Sequence, residues 1–324
     1  MDTLAKLQTV SSEMGLEPAE EISPLGARAV AGGRMAVMGE RKASPLQPPC
    51  GHPVADAKNN ALAFHAKMPG GKTVALLKTL LTSACERDCF YCPFRAGRDY
   101  RRATLKPEEM ANVFNELNRA GTVDGMFLSS GIAGGGVRTQ DRLLDSIDIL
   151  RRKYHFNGYV HLKIMPGAEK DQVFRAMQLA DRVSINLEAP NAERLPKLAP
   201  HKVFFDELLQ PLRWADEIRR AHSPMMGWKG KWPSLVTQFV VGGAGESDLE
   251  ILSTTAYLTK QLRLARAYYS AFRPVLNTPL ENLPPENPMR EHRLYQSSFL
   301  LRDYGFDLED MPFTRQGNLP LDVD

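Results

Sequence analysis

Short apolar runs alternate with amphipathic stretches along most of the chain, beginning at Val74. The runs are typical of strands, and the stretches between them repeat apolar positions at helical spacing. Strands are predicted at Val74–Thr82, Gly125–Ser130, Tyr159–Ile164, Arg182–Leu187, Leu235–Val241 and Arg266–Phe272, and helices at 107–120, 140–154, 169–180, 204–221 and 248–263. Strands that alternate with helices form parallel βα units. The pattern therefore predicts an α/β fold, a partial (β/α)6 TIM-type barrel with N- and C-terminal extensions.

The two flanks of the predicted barrel lack this alternation. Residues 1–70 mix Pro, Gly, Lys and Ala without sustained periodicity, which predicts an N-terminal wrapping extension with one or two short helices. Residues 71–275 form the predicted barrel domain. Residues 276–324 are predicted to be a C-terminal extension that is proline-rich at first and then contains one helix, from about Pro288 to Tyr304.

Composition narrows the class of protein. The chain has 324 residues, 43% of them hydrophobic, which is enough for one large catalytic domain. It contains no apolar run of about 18 residues, so we expect no membrane partner. Four cysteines and no apolar signal segment at the N-terminus favour a reducing, cytoplasmic location. A net charge of +3 permits a polyanionic partner but does not require one.

Three of the four cysteines, Cys85, Cys89 and Cys92, lie within eight residues directly after the first predicted strand. Thiolates in this C-x3-C-x2-C spacing can each cap one iron of a [4Fe–4S] cluster, which leaves the fourth iron open to another ligand. A structural zinc site is one alternative, but its fourth ligand would have to be Cys50 or His52. A disulfide is another. The spacing favours an iron–sulfur redox enzyme.

Polar residues alternate with apolar ones at the ends of two predicted strands. His161 and Lys163 share one face of their strand, and Ser184, Asn186 and Glu188 share one face of the next. A charged side chain that faced the packed helices would lose its hydration without gaining a partner, so we expect inward positions at the mouth of the barrel. Active sites of such barrels lie at the carboxyl ends of the strands. The alternative is that these residues simply emerge into loops.

The cysteine motif, with an aromatic Tyr91 before its last cysteine, resembles that of the radical S-adenosylmethionine (SAM) superfamily. The resemblance implies that Cys85, Cys89 and Cys92 hold a [4Fe–4S] cluster whose open iron binds the amino and carboxylate groups of SAM. It also implies that one electron from the cluster cleaves SAM to a 5′-deoxyadenosyl radical. The hard chemistry would then belong to the cofactors, while the protein orients them and excludes water.

Further segments resemble the cofactor-binding segments of the superfamily. The segment from Phe239 to Glu246 is similar to its G-x-I-x-G-x-x-E motif, although Phe239 replaces the first glycine. The resemblance implies cofactor contacts from Tyr91, Ser129, Ser130, Gly131, Lys163, Ser184, Asn186, Glu188, Val241, Gly243, Ser270 and Phe272. Lys163 and Tyr269 are also candidate catalytic residues.

A narrower likeness covers residues from about 45 to 324. Segments such as His161–Gly167, Tyr269–Phe272 and Arg290–Tyr295 are similar to those of a radical SAM family named for DNA modification or repair. Members often carry a C-terminal helix-hairpin-helix module that holds a nucleic-acid backbone, and the sequence up to Asp324 contains none. The likeness implies a nucleic-acid substrate, whose target base would be single-stranded or flipped out of a duplex.

Two clusters of basic and aromatic residues are candidates for contact with nucleic acid or substrate. They are Arg95, Arg98, Arg101 and Arg102 after the last cysteine, and Trp228, Lys229, Lys231 and Trp232 in a predicted loop. Arginine matches phosphate geometry, and indoles stack on bases. Alternatively, the arginines pair with nearby acids or clamp a cofactor carboxylate, and the tryptophans anchor the loop on the barrel rim.

The sequence thus predicts a radical SAM enzyme with nucleic acid as its candidate substrate. Two alternatives stay open. One is a radical SAM enzyme that acts on a small phosphorylated or carboxylated metabolite, and the other is a non-catalytic nucleic-acid-binding protein with a structural metal site. An enzyme of this kind also needs an electron donor, such as a flavodoxin or a ferredoxin.

Overall fold

The computed structural model of the protein describes residues 2–12, 14, 62–67 and 73–322. Most of the predicted N-terminal extension, including Cys50 and His52, lies outside the described residues. One helix of that extension, α1 (Thr3–Ser12), packs beside the first barrel strand. Lys6 on this helix pairs with Glu109 at 2.8 Å. The described start of the chain is therefore docked on the barrel.

A seven-stranded sheet forms the centre of the protein, and its strands lie in chain order. They are β1 (Ala63–Lys67), β2 (Thr73–Leu80), β3 (Gly125–Ser129), β4 (Tyr159–Lys163), β5 (Arg182–Ser184), β6 (Ser234–Val241) and β7 (Arg266–Ala271). The last six are parallel and correspond to the six predicted strands. The sheet curls into a half barrel, which confirms the predicted fold class.

Helices follow the parallel strands at the predicted places. They are α2 (Pro107–Arg119), α3 (Gly136–Arg152), α4 (Lys170–Leu179), α5 (Gln210–Ala221), α6 (Asp248–Leu262) and α7 (Pro288–Asp303). A π-helical segment, Phe204–Leu209, leads directly into α5. Among the helices of the described residues, none has the length and apolar character of a membrane-spanning segment.

The N-terminus of α3 lies four residues before the predicted start at residue 140. Its first turn is preceded by Gly134 and Gly135, whose N–H groups donate to the Glu86 carboxylate at 3.0 and 3.1 Å. A carboxylate is favourable at a helix N-terminus, where N–H groups lack partners within the helix. The sequence pattern misses this start because the capping residue lies far away in the chain.

Strand β5 is shorter than the predicted Arg182–Leu187 because a side chain interrupts its ladder. The Thr237 hydroxyl donates to the Ile185 carbonyl at 2.6 Å and accepts from the Leu187 N–H at 3.2 Å. Backbone pairing resumes at Glu188, which has a positive φ of 65°. An unusual backbone conformation in a non-glycine residue often marks a functional position.

Both edges of the half barrel are covered by other parts of the chain. On one edge β1, which the sequence pattern did not predict, pairs antiparallel with β2. On the other edge side chains of α7 replace a strand. The Tyr295 hydroxyl accepts from the Tyr269 N–H at 3.1 Å, and the Glu291 carboxylate accepts from the Ala271 N–H at 2.9 Å. Unpaired edge groups invite aggregation, and these contacts remove them.

Arg290 fastens α7 to the barrel. Its guanidinium donates to the carboxylates of Asp248 and Glu286 at 2.7 and 2.6 Å, and to the Glu246 carbonyl at 2.6 Å. The side chain of Asp248 is fully buried and also accepts from the Leu319 N–H at 2.8 Å. One arginine therefore joins α7, the start of α6 and the C-terminal segment.

Replacing Arg290 by Met should lower the free energy of unfolding by about 3–5 kcal/mol, because the buried Asp248 carboxylate loses its ion partner. Urea titration measures the change. Arg302→Met on the same helix is the matched control, since Arg302 pairs with the partly exposed Asp303 and its loss should cost less than about 1 kcal/mol. Equal losses in the two variants would contradict the role of Arg290.

Candidate active site

A cavity of about 280 Å³ opens at the carboxyl ends of the parallel strands, which is where such barrels place their active sites. Its wall contains Cys85, Cys89 and Cys92 together with residues from the ends of β3, β4 and β7. Apolar side chains such as Ile132 and Phe272 lie between the polar ones. The cavity is therefore lined both to bind polar groups and to exclude water.

The loop that carries the three cysteines, residues 85–92, is called the cysteine hairpin below. It is fixed at the cavity by hydrogen bonds to two neighbouring segments. The Glu86 N–H donates to the Ile132 carbonyl at 2.8 Å, and the Phe90 N–H donates to the Leu198 carbonyl at 2.7 Å. Because both ends of the hairpin are tied, its three thiol groups are held on the same wall.

Gly131 allows the end of β3 to approach this hairpin. Its N–H donates to the Thr82 carbonyl at 2.7 Å, and any side chain at this position would overlap the carbonyl oxygen of Ala84. Only glycine fits such a close approach of two backbones. The predicted residues Ser129, Ser130 and Gly131 thus line the cavity directly beside the cysteines.

The environment of the cysteines fits a group that carries positive charge. Burial raises the pKa of the Cys89 thiol, and burial together with the neighbouring Cys89 raises the pKa of the Cys92 thiol. A buried thiolate needs compensation, and metal binding displaces the thiol proton. Each cysteine of an iron–sulfur cube caps its own iron, so the three thiols could hold three irons of a [4Fe–4S] cluster.

A site for a single metal ion requires several ligands grouped around one point. Over the ranges that the structure describes, no three His, Cys, Asp or Glu side chains are grouped to hold one ion. Cys50 and His52, the predicted alternatives for a zinc site, lie outside those ranges.

A buried ion pair lies beside the cysteines. Lys202 Nζ donates to Glu188 Oε1 at 2.9 Å, and both side chains line the cavity with at most a tenth of their surface exposed. Burial alone would lower the pKa of Lys202, but the nearby Cys89 and Glu188 reverse this and raise it. The other carboxylate oxygen, Glu188 Oε2, is buried without a hydrogen-bond partner. The Tyr91 side chain lies beside this carboxylate, and burial together with Glu188 raises the pKa of the Tyr91 hydroxyl. Glu188 Oε2 can therefore accept a further hydrogen bond from a bound group.

Lys202 is a cavity residue that the sequence pattern missed. It lies in a loop between β5 and α5, and nothing in its immediate sequence marks it. The π-helical segment that follows fixes this loop, since the Glu207 carboxylate accepts from the Val203 N–H at 2.8 Å and pairs with Arg87 in the cysteine hairpin. The sequence around Lys202 offers no signal that would have identified it as a site residue.

The predicted cofactor residues divide into two groups. Those on the cavity wall are Tyr91, Ser129, Ser130, Gly131, Lys163, Asn186, Glu188, Ser270 and Phe272. Ser184, Val241 and Gly243 are absent from the wall. Ser184 Oγ lies 2.8 Å from His161 Nε2, and on β6 the alternate residues Gln238 and Val240 face the cavity instead.

The two candidate catalytic residues also differ in their surroundings. Lys163 lines the cavity with its ammonium group 5.7 Å from the centroid of the Phe127 ring. Tyr269 contributes to the wall, but its hydroxyl lies 3.0 Å from the Thr255 hydroxyl on α6. Burial raises the pKa of Tyr269 to about 12. The Tyr269 hydroxyl is thus buried and hydrogen-bonded to another protein group.

Most of the predicted arginine cluster holds the segments that flank the cysteine hairpin. The Arg102 guanidinium donates to the carbonyls of Ser83, Phe94 and Arg95 at 2.7 to 2.9 Å. Arg98 donates to the carbonyls of Pro93 and Leu276 at 2.9 and 3.0 Å. Arg95 reaches the Asp88 carbonyl at 3.4 Å, while Arg101 is exposed. These donors hold loops in place.

The predicted tryptophan cluster lies at the other end of the barrel. Residues 222–233 connect the end of α5 to the start of β6, so they lie at the amino edge of the sheet. The Arg151 guanidinium stacks on Trp228 at 3.8 Å from the ring centroid, and Trp232 donates to the His222 carbonyl at 3.4 Å. Lys229 and Lys231 are exposed on the same loop. The structure does not bring this cluster to the cavity.

Replacing Lys202 by Met should lower the free energy of unfolding by about 3–5 kcal/mol, because Glu188 is left as an uncompensated buried charge. The double variant Lys202→Met/Glu188→Gln should lose less than the single one, which urea titration under anaerobic conditions would show. Lys170→Met is the control, since its pair with Glu217 is half exposed. A double variant as unstable as Lys202→Met would contradict the coupling.

The fold is similar to solved structures of radical SAM proteins. HydG, a maturase of the [FeFe]-hydrogenase, shares 14% identity over 70% of this chain and 49% of that chain, with a TM-score of 0.53. Methylornithine synthase (PylB) shares 14% identity over 70% and 62%, with a TM-score of 0.54. HydG from Carboxydothermus hydrogenoformans shares 16% identity over 70% and 51%, with a TM-score of 0.52.

The chain thus spans about half to three fifths of the length of these proteins. At this identity the likeness shows a shared fold. Among curated proteins, none matches the chain. The family model of the Radical SAM superfamily matches residues 79–258, which is more than half of the 324 residues and includes the cysteine hairpin. Enzymes of this family use a [4Fe–4S] cluster and SAM. The chain therefore belongs to the Radical SAM superfamily.

Proposed function

We propose that the cavity binds SAM against a [4Fe–4S] cluster held by Cys85, Cys89 and Cys92, and that a substrate in the same cavity loses a hydrogen atom. The observation that carries this proposal is the shared wall, on which the three thiols, Gly131 and the Lys202–Glu188 pair occur together. When bound, the cluster and SAM together supply one-electron reductive cleavage and a radical on the 5′-deoxyadenosyl group.

The protein's own contribution is to hold and orient polar groups. Glu188 Oε2, which has no hydrogen-bond partner among the described residues, can accept a hydrogen bond from a bound amino or hydroxyl group. Lys202 neutralises Glu188 and can offer its remaining ammonium hydrogens to a carboxylate. Asn186, on the same wall, is a further donor and acceptor for the ribose. These roles support SAM as the ligand of this end of the cavity.

The apolar part of the wall protects the reaction from water. Ile164, Met165 and Val240 lie between the polar groups, and each is at least nine-tenths buried. A radical formed in the cavity is thereby screened from solvent that would quench or divert it. Lys163 is the last residue of β4 and lines the cavity, and its catalytic role stays a prediction.

Nucleic acid as the substrate also stays a prediction, as does membership of the family named for DNA modification or repair. Most arginines after the last cysteine give their donors to backbone carbonyls, and Trp228 lies under Arg151. Arg101 is the exposed member of the cluster beside the cavity. The small phosphorylated or carboxylated metabolite is the substrate class that we carry forward.

The electron that starts the reaction requires a donor protein, for which we propose a flavodoxin or a ferredoxin. A reducing, cytoplasmic location also stays a prediction, based on the low cysteine content of the chain.

Wild-type protein reconstituted anaerobically should bind about four irons and four sulfides per chain, and so should Cys50→Ala, because three other thiols hold the cluster. Cys85→Ala, Cys89→Ala and Cys92→Ala should each lose most of this content. Iron and acid-labile sulfide assays measure the difference. Loss of the cluster in Cys50→Ala, or zinc in place of iron in freshly isolated protein, would contradict the assigned ligands.

Reduction with dithionite in the presence of SAM should yield 5′-deoxyadenosine from the wild type and none from Cys89→Ala, because the variant cannot hold the cluster. Liquid chromatography with mass detection quantifies the product. Arg152→Met is the control, since Arg152 is an exposed residue at the end of α3. Wild-type protein that contains the full cluster, binds SAM and still forms no 5′-deoxyadenosine would contradict the proposed function.

A further inference from the structure

One charged side chain of the cavity wall differs from all the others. The charged residues on the wall are Arg87, Lys163, Glu188, Lys202, Arg273 and Glu291. Arg87 pairs with Glu207, Lys202 pairs with Glu188, and Glu291 accepts from a backbone N–H of β7. Lys163 lies over an aromatic ring. Arg273 alone has no hydrogen bond, ion pair or ring contact with any residue that the structure describes.

The backbone that carries Arg273 is nevertheless fixed. The Phe272 N–H donates to the Val241 carbonyl at 2.8 Å, and the Phe272 carbonyl accepts from the Glu286 N–H at 2.9 Å. Pro274 follows, and a residue before proline is restricted to extended conformations. The backbone at Arg273 is thus held in place, while the residue itself is exposed. A rigid backbone that carries an unpartnered cation is suited to binding, because little backbone freedom is lost when a ligand binds.

The position of Arg273 separates it from the cysteines and the charged groups assigned to the cofactor, although the predicted cofactor residues Ser270 and Phe272 precede it closely in the chain. It follows β7, whereas the cysteine hairpin follows β2 and the Glu188–Lys202 pair follows β5. The residues that follow it, Pro274 and Val275, also line the cavity and offer apolar surface to a carbon skeleton. This end of the cavity therefore combines one free cation with an apolar wall.

We propose that Arg273 anchors the anionic group, a carboxylate or a phosphate, of a small-molecule substrate. The inference rests on the proposed function, since it assigns the substrate of that same cavity. A guanidinium binds either anion through two parallel N–H donors, which fixes the orientation of the bound molecule as well as its position. With its anionic end at Arg273, the substrate extends its carbon skeleton along the cavity towards the cysteine end.

A small molecule fits these observations better than a polynucleotide. A nucleic-acid backbone is held by several cations along a groove, and its affinity grows with the number of phosphates contacted. Among the residues that the structure describes, the wall offers one unpartnered cation, and Arg98 and Arg102 are hydrogen-bonded to backbone carbonyls. The geometry accommodates one anionic group rather than a chain of them.

The test measures anion binding by calorimetry on anaerobically reconstituted, oxidised enzyme that is saturated with SAM, so that the cofactor's own carboxylate is already placed. The probes are inorganic phosphate, succinate and a short single-stranded oligothymidylate. We compare the wild type with Arg273→Met and Arg273→Lys. Arg152→Met is the matched control, because it removes an arginine that is 71% exposed and lies outside the cavity.

Phosphate or succinate should bind the wild type and Arg152→Met with equal affinity. The affinity of Arg273→Met should be at least about tenfold lower. Arg273→Lys should fall between them, since it keeps the charge but loses the paired donors. The probe that binds more tightly identifies the anion class. Equal binding to the wild type and Arg273→Met would overturn the proposal. So would weaker SAM binding in Arg273→Met, which would assign the residue to the cofactor, or tighter oligonucleotide binding that depends on Arg273.

Failure of this inference is distinguishable from failure of the proposed function. SAM cleavage by the wild type is measured without any probe, and anion binding is measured on oxidised protein in which no cleavage takes place. Wild type that forms 5′-deoxyadenosine but binds anions independently of Arg273 overturns only the anchor. Circular dichroism and iron content confirm that the Arg273 variants fold and hold the cluster.

Discussion

A sheet of six parallel strands that does not close into a full barrel leaves two rows of unpaired backbone groups and an open interior. The rest of the protein is arranged around this constraint. β1 covers one edge, and Tyr295 and Glu291 of α7 supply an acceptor to each of two N–H groups on the other. Arg290 then binds α7 to the barrel through buried acids. The C-terminal extension therefore completes the fold, and its residues Glu291 and Tyr295 are at the same time part of the cavity wall.

The candidate active site is built from loops that hold one another. The cysteine hairpin donates hydrogen bonds to the Ile132 carbonyl in the loop after β3 and to the Leu198 carbonyl in the loop before α5, and its Arg87 pairs with Glu207. Each of these loops also delivers a residue to the cavity, so positions far apart in the chain are coupled through contacts at the carboxyl edge of the sheet. The buried Lys202–Glu188 pair is costly unless both charges are satisfied, and under the proposed function a bound ligand donates to its remaining carboxylate oxygen.

Most of the barrel could be predicted from the sequence, because buried parallel strands and amphipathic helices leave strong periodic patterns. The cysteine spacing likewise indicated the family. What could not be predicted depends on contacts between distant residues. β1 has no distinctive sequence pattern of its own. Lys202 enters the site only because its loop folds over β5. On β6, side chains alternate between the two faces, and Val240 rather than Val241 lies on the cavity wall. The arginines after Cys92 looked free in sequence because their acceptors are backbone carbonyls, which composition does not reveal.

The π-helical segment before α5 has a consequence for the evolution of this site. Such segments hold one more residue per turn than an α-helix, and they are frequently found at functional sites. Here the wide turn carries Glu207, which binds both Arg87 and the Val203 N–H, next to Lys202. A lineage that deleted a single residue from Phe204–Leu209 would regain a regular helix, but everything before it would rotate by about 100°. Homologues that keep Lys202 in the cavity should therefore tolerate substitutions in this segment far better than changes in its length.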